Sequence, residues 1–162
     1  MTDYLKQAKN IESEIIANRR TIHGFAEIGF QLDKTVDFVE AKLKEYGLEP
    51  KRIGKAGVTA VVGKSGNTIL LRADMDALPM KEETGLEFAS ETGNCHSCGH
   101  DCHTAMLLGA AKLLKDNEDE LEGTVKLMFQ PAEELLAGAV DMIEAGILED
   151  PKADAALAIH IY

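Results

Sequence analysis

Positive charge is scarce in this sequence, in which 17 Lys and Arg residues stand against 28 Asp and Glu residues. The formal net charge is therefore −11 at pH 7. A field of this sign repels the phosphates of nucleic acids and the head groups of anionic membranes. We expect no nucleic-acid partner and no membrane partner. Acidity mainly favours solubility, so it identifies no substrate.

Long apolar runs are also missing. No stretch approaches the ~20 apolar residues of a membrane-spanning helix, and the first residues, MTDYLK, lack the apolar core of a signal peptide. We therefore expect a cytoplasmic protein. The 162 residues and the hydrophobic fraction of 45% are typical of one globular domain, which would span residues 1–162.

Cysteine occurs at only three positions, Cys95, Cys98 and Cys102, all of them in the segment CHSCGHDCH at residues 95–103. An odd, clustered set is a poor disulfide framework, so it favours metal binding in a reducing compartment. The same segment holds three His and one Asp. Thiolate and imidazole groups suit zinc and similar divalent ions.

Other interpretations of this segment remain open. A structural zinc knuckle would use Cys95, Cys98, Cys102 and one His. An iron–sulfur site fits less well, because a fourth cysteine is missing. The segment could also be a polar loop without a metal. A closed zinc site needs only four ligands, so a knuckle would leave the other polar clusters of the sequence unexplained.

Hydrophobic periodicity outlines the fold. It predicts helices at residues 4–21, 33–46, 101–115 and 136–145. Short β-type runs predict strands at residues 57–62, 68–72, 124–129 and 154–161. The turn at residues 63–67 predicts that the first two strands form a hairpin, and residues 79–99 should form a long functional loop. Alternating helices and strands predict a layered α/β domain.

A pair of carboxylates follows the third predicted strand. Glu133 and Glu134 end the segment FQPAEE at residues 129–134. Neighbouring side chains in an extended chain point in opposite directions, so one carboxylate can bind a metal while the other activates water. Taken alone, a Glu pair is common on solvated surfaces.

Two further polar features lie at strand ends. Asp74 and Asp76 follow the apolar strand at residues 69–71, where α/β sheets favour ligand crevices, although an Asp-rich turn is the simpler alternative. His160 lies in the apolar segment LAIHI, where a single histidine is usually a core residue. His23 ends the first predicted helix, and a capping role is the default there.

With these elements in this order, the chain resembles the amidohydrolases of metallopeptidase family 20. The matching stretches are LRADMDALP at residues 71–79, CGHD with His103, and FQPAEE. Within that family, the chain most resembles a group that contains hippurate hydrolases, bacterial aminoacylases, N-acetyldiaminopimelate deacetylases and the plant auxin-conjugate hydrolases. The resemblance runs from His23 to His160 and implies a zinc-exopeptidase-like α/β catalytic domain, with a central mixed sheet flanked by helices.

The resemblance also implies a chemistry. It implies two divalent metal ions (zinc, manganese, cobalt or nickel) and a small N-acyl amino acid, acetylated or benzoylated, as the substrate. The metal ligands implied are Cys98, His100, Glu134 and His160. Glu133 would be the general base, and Asp74 would be the supporting catalytic carboxylate.

The sequence departs from the family in two ways. Family members usually have Met and Ala where Cys95 and Ser97 stand, and Cys102 is not required, but these changes leave the implied ligands intact. Members are also well over twice as long and continue with a dimerisation lid and a returning catalytic segment. We therefore expect a truncated catalytic domain without the lid, inactive alone, whereas full-length relatives are expected to be homodimers.

Overall fold

Five strands form one mixed sheet at the centre of the computed structural model, which describes residues 2–161. The strands are β1 (Lys51–Ile53), β2 (Gly57–Val62), β3 (Thr68–Asp74), β4 (Thr124–Gln130) and β5 (Ala155–Ala158). Their spatial order is β1-β2-β4-β3-β5. Strands β3, β4 and β5 run parallel, whereas β2 is antiparallel to both β1 and β4. The predicted central mixed sheet is confirmed.

Helices cover both faces of this sheet. They are α1 (Tyr4–Asn10), α2 (Glu12–Phe25), α3 (Asp33–Glu45), α4 (His100–Asp116) and α5 (Gly138–Glu144). One face packs against α2, α3 and α4 around Phe129 and Leu108, and the other packs against α5 through Met142. The layered α/β prediction is therefore confirmed. Within residues 2–161, no helix combines the length and apolarity needed to cross a membrane.

The predicted hairpin of residues 57–62 and 68–72 is wrong. Strands β2 and β3 do not pair with each other, because β4 lies between them: Val125 is the partner of both Val62 and Ile69. Strand β4 is buried along its whole length. A fully buried apolar strand gains most in the middle of a sheet, which explains why it separates the two strands.

The first predicted helix is two helices. Ile11 leaves helical geometry, with φ −105° and ψ 12°, and its N–H bonds to the Ala8 carbonyl in a tighter turn. Helix α2 then continues to Phe25, four residues beyond the predicted end. The other three predicted helices begin and end within two residues of the observed α3, α4 and α5.

The last predicted strand is shorter and less buried than expected. Strand β5 covers only Ala155–Ala158, pairs with β3 along one side, and is exposed at all four residues. Its position at the edge of the sheet explains the exposure. His160 therefore lies beyond the strand instead of inside the core, and Tyr162 lies outside the described residues.

Candidate metal site

The candidate site forms where the carboxyl ends of β3 and β4 meet. These strands are parallel, and Asp74 at the end of β3 is in register with Gln130 at the end of β4. Glu133 and Glu134 lie in the turn that follows β4, and helix α4 begins close to them at His100. Residues from distant parts of the sequence therefore converge at one edge of the sheet, where α/β folds bind ligands.

Three groups of potential metal donors overlap at His100. They are Cys98 with His100 and His160, Asp74 with His100 and His103, and His100 with Glu133 and Glu134. The donor atoms of each group all lie within 4.8 Å of one another. The structure thus brings together all six residues that the sequence predicted for the site, and it adds His103.

The spacing around His100 fits a metal ion. His100 Nε2 lies 3.7 Å from Asp74 Oδ2, 3.8 Å from Glu134 Oε1 and 3.9 Å from Glu133 Oε2. Cys98 Sγ lies 3.4 Å from His160 Nε2. Ligand atoms held about 2.0–2.3 Å from one ion lie roughly 3–4 Å from each other, so the three His100 distances match a shared ion better than direct hydrogen bonds. The Cys98–His160 distance is compatible with either a hydrogen bond or a shared ion.

Unsatisfied buried atoms point to the same conclusion. His100 is fully buried, yet within residues 2–161 neither ring nitrogen has a hydrogen-bond partner, and Glu134 Oε1 is buried without one as well. The Asp76 carboxylate lies 3.5 Å from His100 Nδ1. Buried polar atoms are normally paired, and an ion among thiol, imidazole and carboxylate donors would pair these.

Asp76 holds the turn that carries the two glutamates. Its carboxylate oxygens accept the backbone N–H groups of Glu133 at 2.9 Å and of Glu134 at 3.2 Å. Ala132 and Leu136 flank the pair with left-handed backbones, at φ 50° and 53°. Non-glycine residues in this conformation are strained and concentrate at functional sites. The sequence showed Asp76 only as half of an Asp pair and gave it no role.

Asp74 is fixed by two cationic or donor side chains. His103 Nδ1 lies 2.6 Å from Asp74 Oδ1, and the Arg72 guanidinium lies 2.7 Å from Asp74 Oδ2. Burial opposes ionisation of Asp74, but the His103 hydrogen bond and the charges of His100 and Arg72 outweigh it and hold the pKa of this carboxyl below its usual value. Asp74 is therefore a carboxylate that orients its neighbours.

The position immediately before helix α4 requires a glycine. Gly99 has φ 85°, and a Cβ at this position would lie 2.5 Å from Ile161 Cδ1. The close contact brings the segment containing His160 against Cys98. Burial and the nearby carboxylates of Glu134 and Glu133 raise the pKa of the Cys98 thiol to about 11. A divalent cation would reverse this effect, so metal binding there releases a proton.

Cys95 and Cys102 lie away from these donors. Among residues 2–161, no donor group includes either thiol. Cys95 forms a backbone bridge with Leu78, and Cys102 faces Arg19 and Asp101. The three thiols of the predicted zinc knuckle therefore do not converge, and the structure does not assemble that alternative.

His23 has a different role from the predicted helix cap. It is buried, with Nδ1 2.8 Å from Asp101 Oδ2 and Nε2 2.9 Å from Glu82 Oε2. Arg19 Nε lies 2.6 Å from the same Asp101 oxygen. These contacts join α2, the long loop and the first turn of α4. The predicted loop is confirmed, since residues 75–99 contain no helix or strand.

A cavity of about 530 Å³ opens beside the donors. Glu134 and Asp76 line it on one side, and Ile28, Phe30 and Leu135 contribute apolar walls. Its volume is within the range of small-molecule sites. A second cavity, of about 500 Å³, lies around Lys126 and contains none of the donor residues.

Comparisons with known proteins identify the family of this chain. Residues 70–162 match the family described as Peptidase family M20/M25/M40. The chain is 47% identical over 154 residues to an N-acetyl-L-cysteine deacetylase of Bacillus subtilis, covering 93% of this chain and 36% of the relative. It is 42% identical over 157 residues to an N-acyl-L-amino acid amidohydrolase of Geobacillus stearothermophilus, covering 94% and 42%.

A solved structure gives the same result. The Bacillus subtilis YXEP protein, described as a dinuclear metal-binding peptidase of the M20 family, superposes with a TM-score of 0.90 at 41% identity. The superposition covers 95% of this chain and 44% of that protein, so the chain spans less than half the length of each of these relatives. The match over more than half of its residues shows that this chain belongs to peptidase family M20/M25/M40.

Proposed function

We propose that this chain supplies most of a dinuclear metal site that hydrolyses the amide bond of N-acyl amino acids. The observation that carries the proposal is His100, which belongs to all three donor groups and whose buried ring nitrogens have no hydrogen bond in the part of the chain that the structure describes. The chain spans less than half of its relatives, so the activity is proposed for a complete protein that contains these residues.

The proposed ligands are Cys98, His100, Glu134 and His160. They combine thiolate, imidazole and carboxylate donors, a set that zinc, manganese, cobalt and nickel all accept. Divalent ions at such a site polarise the amide carbonyl and make water a nucleophile at neutral pH. Asp74 and Asp76 would not bind the ions directly, since their oxygens already hold Arg72, His103 and the turn after β4.

Glu133 is the proposed general base. Its side chain keeps 33% of its surface exposed, and one of its oxygens lies 3.9 Å from His100 Nε2. Its backbone N–H is fixed by Asp76. Glu133 can therefore reach both solvent and the donor cluster. It would take a proton from the attacking water and return it to the leaving amine.

The substrate class rests on chemistry shared by the relatives. One is named for removing the acetyl group from N-acetyl-L-cysteine and the other for hydrolysing N-acyl-L-amino acids. Both names describe an amide between an acyl group and an amino acid. The cavity between Glu134 and the walls formed by Ile28, Phe30 and Leu135 offers an apolar space for part of such a substrate.

A chimera tests this proposal. The 162 residues would replace the aligned segment of the Geobacillus amidohydrolase, with which they share 42% identity. We expect the chimera, loaded with zinc, manganese or cobalt, to release amino acids from N-acetyl or N-benzoyl substrates. The 162-residue chain alone should bind metal without turnover. A folded, metal-loaded chimera that hydrolyses none of these substrates would contradict the proposal.

A further inference from the structure

His103 lies beside the proposed ligands, yet it is already engaged in hydrogen bonds. It occupies α4 three residues after His100, is 2% exposed, and its ring centroid lies 4.5 Å from that of His160. Its Nδ1 lies 2.6 Å from Asp74 Oδ1, and its Nε2 accepts the Ile161 backbone N–H at 3.1 Å. Both ring nitrogens therefore have partners within the protein.

These two partners determine the tautomer of His103. Nε2 accepts a hydrogen bond from a backbone N–H, so it carries no proton. The ring proton is then on Nδ1, which donates it to the Asp74 carboxylate. The Arg72 guanidinium lies 2.7 Å from Asp74 Oδ2. This ion pair fixes the position of the carboxylate that accepts the hydrogen bond from His103 Nδ1.

The Ile161 peptide links His103 to His160. His160 lies beyond the end of β5, in an exposed segment that no strand pairing holds among the described residues. His160 Nδ1 lies 2.5 Å from the Ile161 carbonyl oxygen, which can accept its hydrogen bond. The backbone N–H of Ile161 donates to His103 Nε2. This arrangement leaves His160 Nε2 directed at Cys98 Sγ, 3.4 Å away.

We propose that His103 is a positioning residue, which holds the Ile161 peptide and thereby orients His160 Nε2 toward the Cys98–His100 donor cluster. The inference rests on the proposed metal site but assigns no metal to His103. Groups that orient metal ligands in this way typically contribute about 10–100-fold to metal affinity.

Two substitutions test separately the two hydrogen bonds of His103, one with Asp74 and one with the Ile161 N–H. His103→Asn retains a donor near Nδ1 for Asp74 but is too short to reach Ile161. His103→Gln places an amide oxygen near the position of Nε2 and can still accept the Ile161 N–H. We expect the Asn variant of the 162-residue chain to bind cobalt about 10–100-fold more weakly. The Gln variant should recover most of the affinity.

The spectrum of bound cobalt provides a readout that loss of stability alone would not change. In the wild-type chain and the Gln variant, we expect the same ligand-field bands, whereas the Asn variant should lose the contribution of one imidazole. Tyr46→Phe is the matched control. It removes the hydrogen bonds of the Tyr46 hydroxyl with Asn18 and Glu14, neither of which belongs to a donor group, so it should lower stability without changing the cobalt spectrum.

The outcomes distinguish this inference from the proposed function. Wild-type affinity and spectrum in the Asn variant would overturn the role of His103 and leave the metal site standing. Equal losses in the Asn and Gln variants would also overturn it, because the Ile161 bond would then not be the decisive one. A wild-type chain that binds no cobalt would overturn both. Nitrogen NMR of the metal-free chain should show the Nδ1-protonated tautomer, and an Nε2-protonated ring would contradict the inference.

Discussion

Replacing His100 with alanine should weaken the binding of zinc or cobalt by more than about 100-fold, because loss of a supporting residue alone costs about 10–100-fold. His100 is the one residue shared by all three donor groups. Its removal takes a donor from each of these groups, including the two that contain the other proposed ligands, Cys98, His160 and Glu134. Competition with a chromophoric chelator would measure the affinity.

His96→Ala is the matched control for this experiment. His96 is also buried and lies four residues earlier, in the loop that leads into α4. Among residues 2–161, its two ring nitrogens likewise have no hydrogen-bond partner. Burial lowers the pKa of His96 to about 4, so the ring is neutral, as His100 would be when it binds a metal. It belongs to none of the donor groups. Equal losses of affinity in the two variants would mean that packing, and not ligation by His100, explains the result.

The adjacent glutamates should respond in opposite ways to the same substitution. Glu133→Gln in the chimera should keep its metal and lose about 10²–10⁴-fold in turnover, the usual contribution of a general base. Glu134→Gln should release metal, because it replaces a ligand whose buried oxygen has no hydrogen-bond partner among the described residues. Metal content and initial rates on an N-acetyl amino acid would be measured for both variants.

The two side chains make a strict comparison. They are neighbours in one turn, and Asp76 binds both of their backbone N–H groups. Loss of stability of this turn would therefore affect both variants alike. Retained turnover in Glu133→Gln would contradict its role as the base. Loss of metal from Glu133→Gln but not from Glu134→Gln would exchange the two assignments.

The sequence indicated which polar residues lie together more fully than it indicated how the strands pair. Cys98, His100, Asp74 and the two glutamates occur in short segments whose residue types already indicate metal chemistry, and the structure brings these segments together. Strand pairing depends on competition between distant segments. The turn at residues 63–67 is a local signal for a hairpin, whereas the buried run of β4 gains more by lying between β2 and β3.

Residues that support the site were harder to recognise. The role of Asp76 depends on backbone N–H groups nearly sixty residues later in the chain, which no local pattern shows. The signal for His103 was present, since it lies three residues after His100 and positions i and i+3 share a helix face. Its bond to Ile161, however, depends on where β5 ends. The partners of His23 likewise come from the loop and from α4.

The identity of the thiol ligand tests the central claim most directly. Cobalt content and thiolate-to-cobalt absorption would be measured for the wild-type chain, for Cys98→Ser, and for a chain with both Cys95→Ser and Cys102→Ser. We expect the double variant to keep the metal and its thiolate absorption, and Cys98→Ser to lose that absorption. A double variant that loses the metal, beside a Cys98→Ser chain that keeps its thiolate absorption, would contradict the proposed site and favour a zinc knuckle.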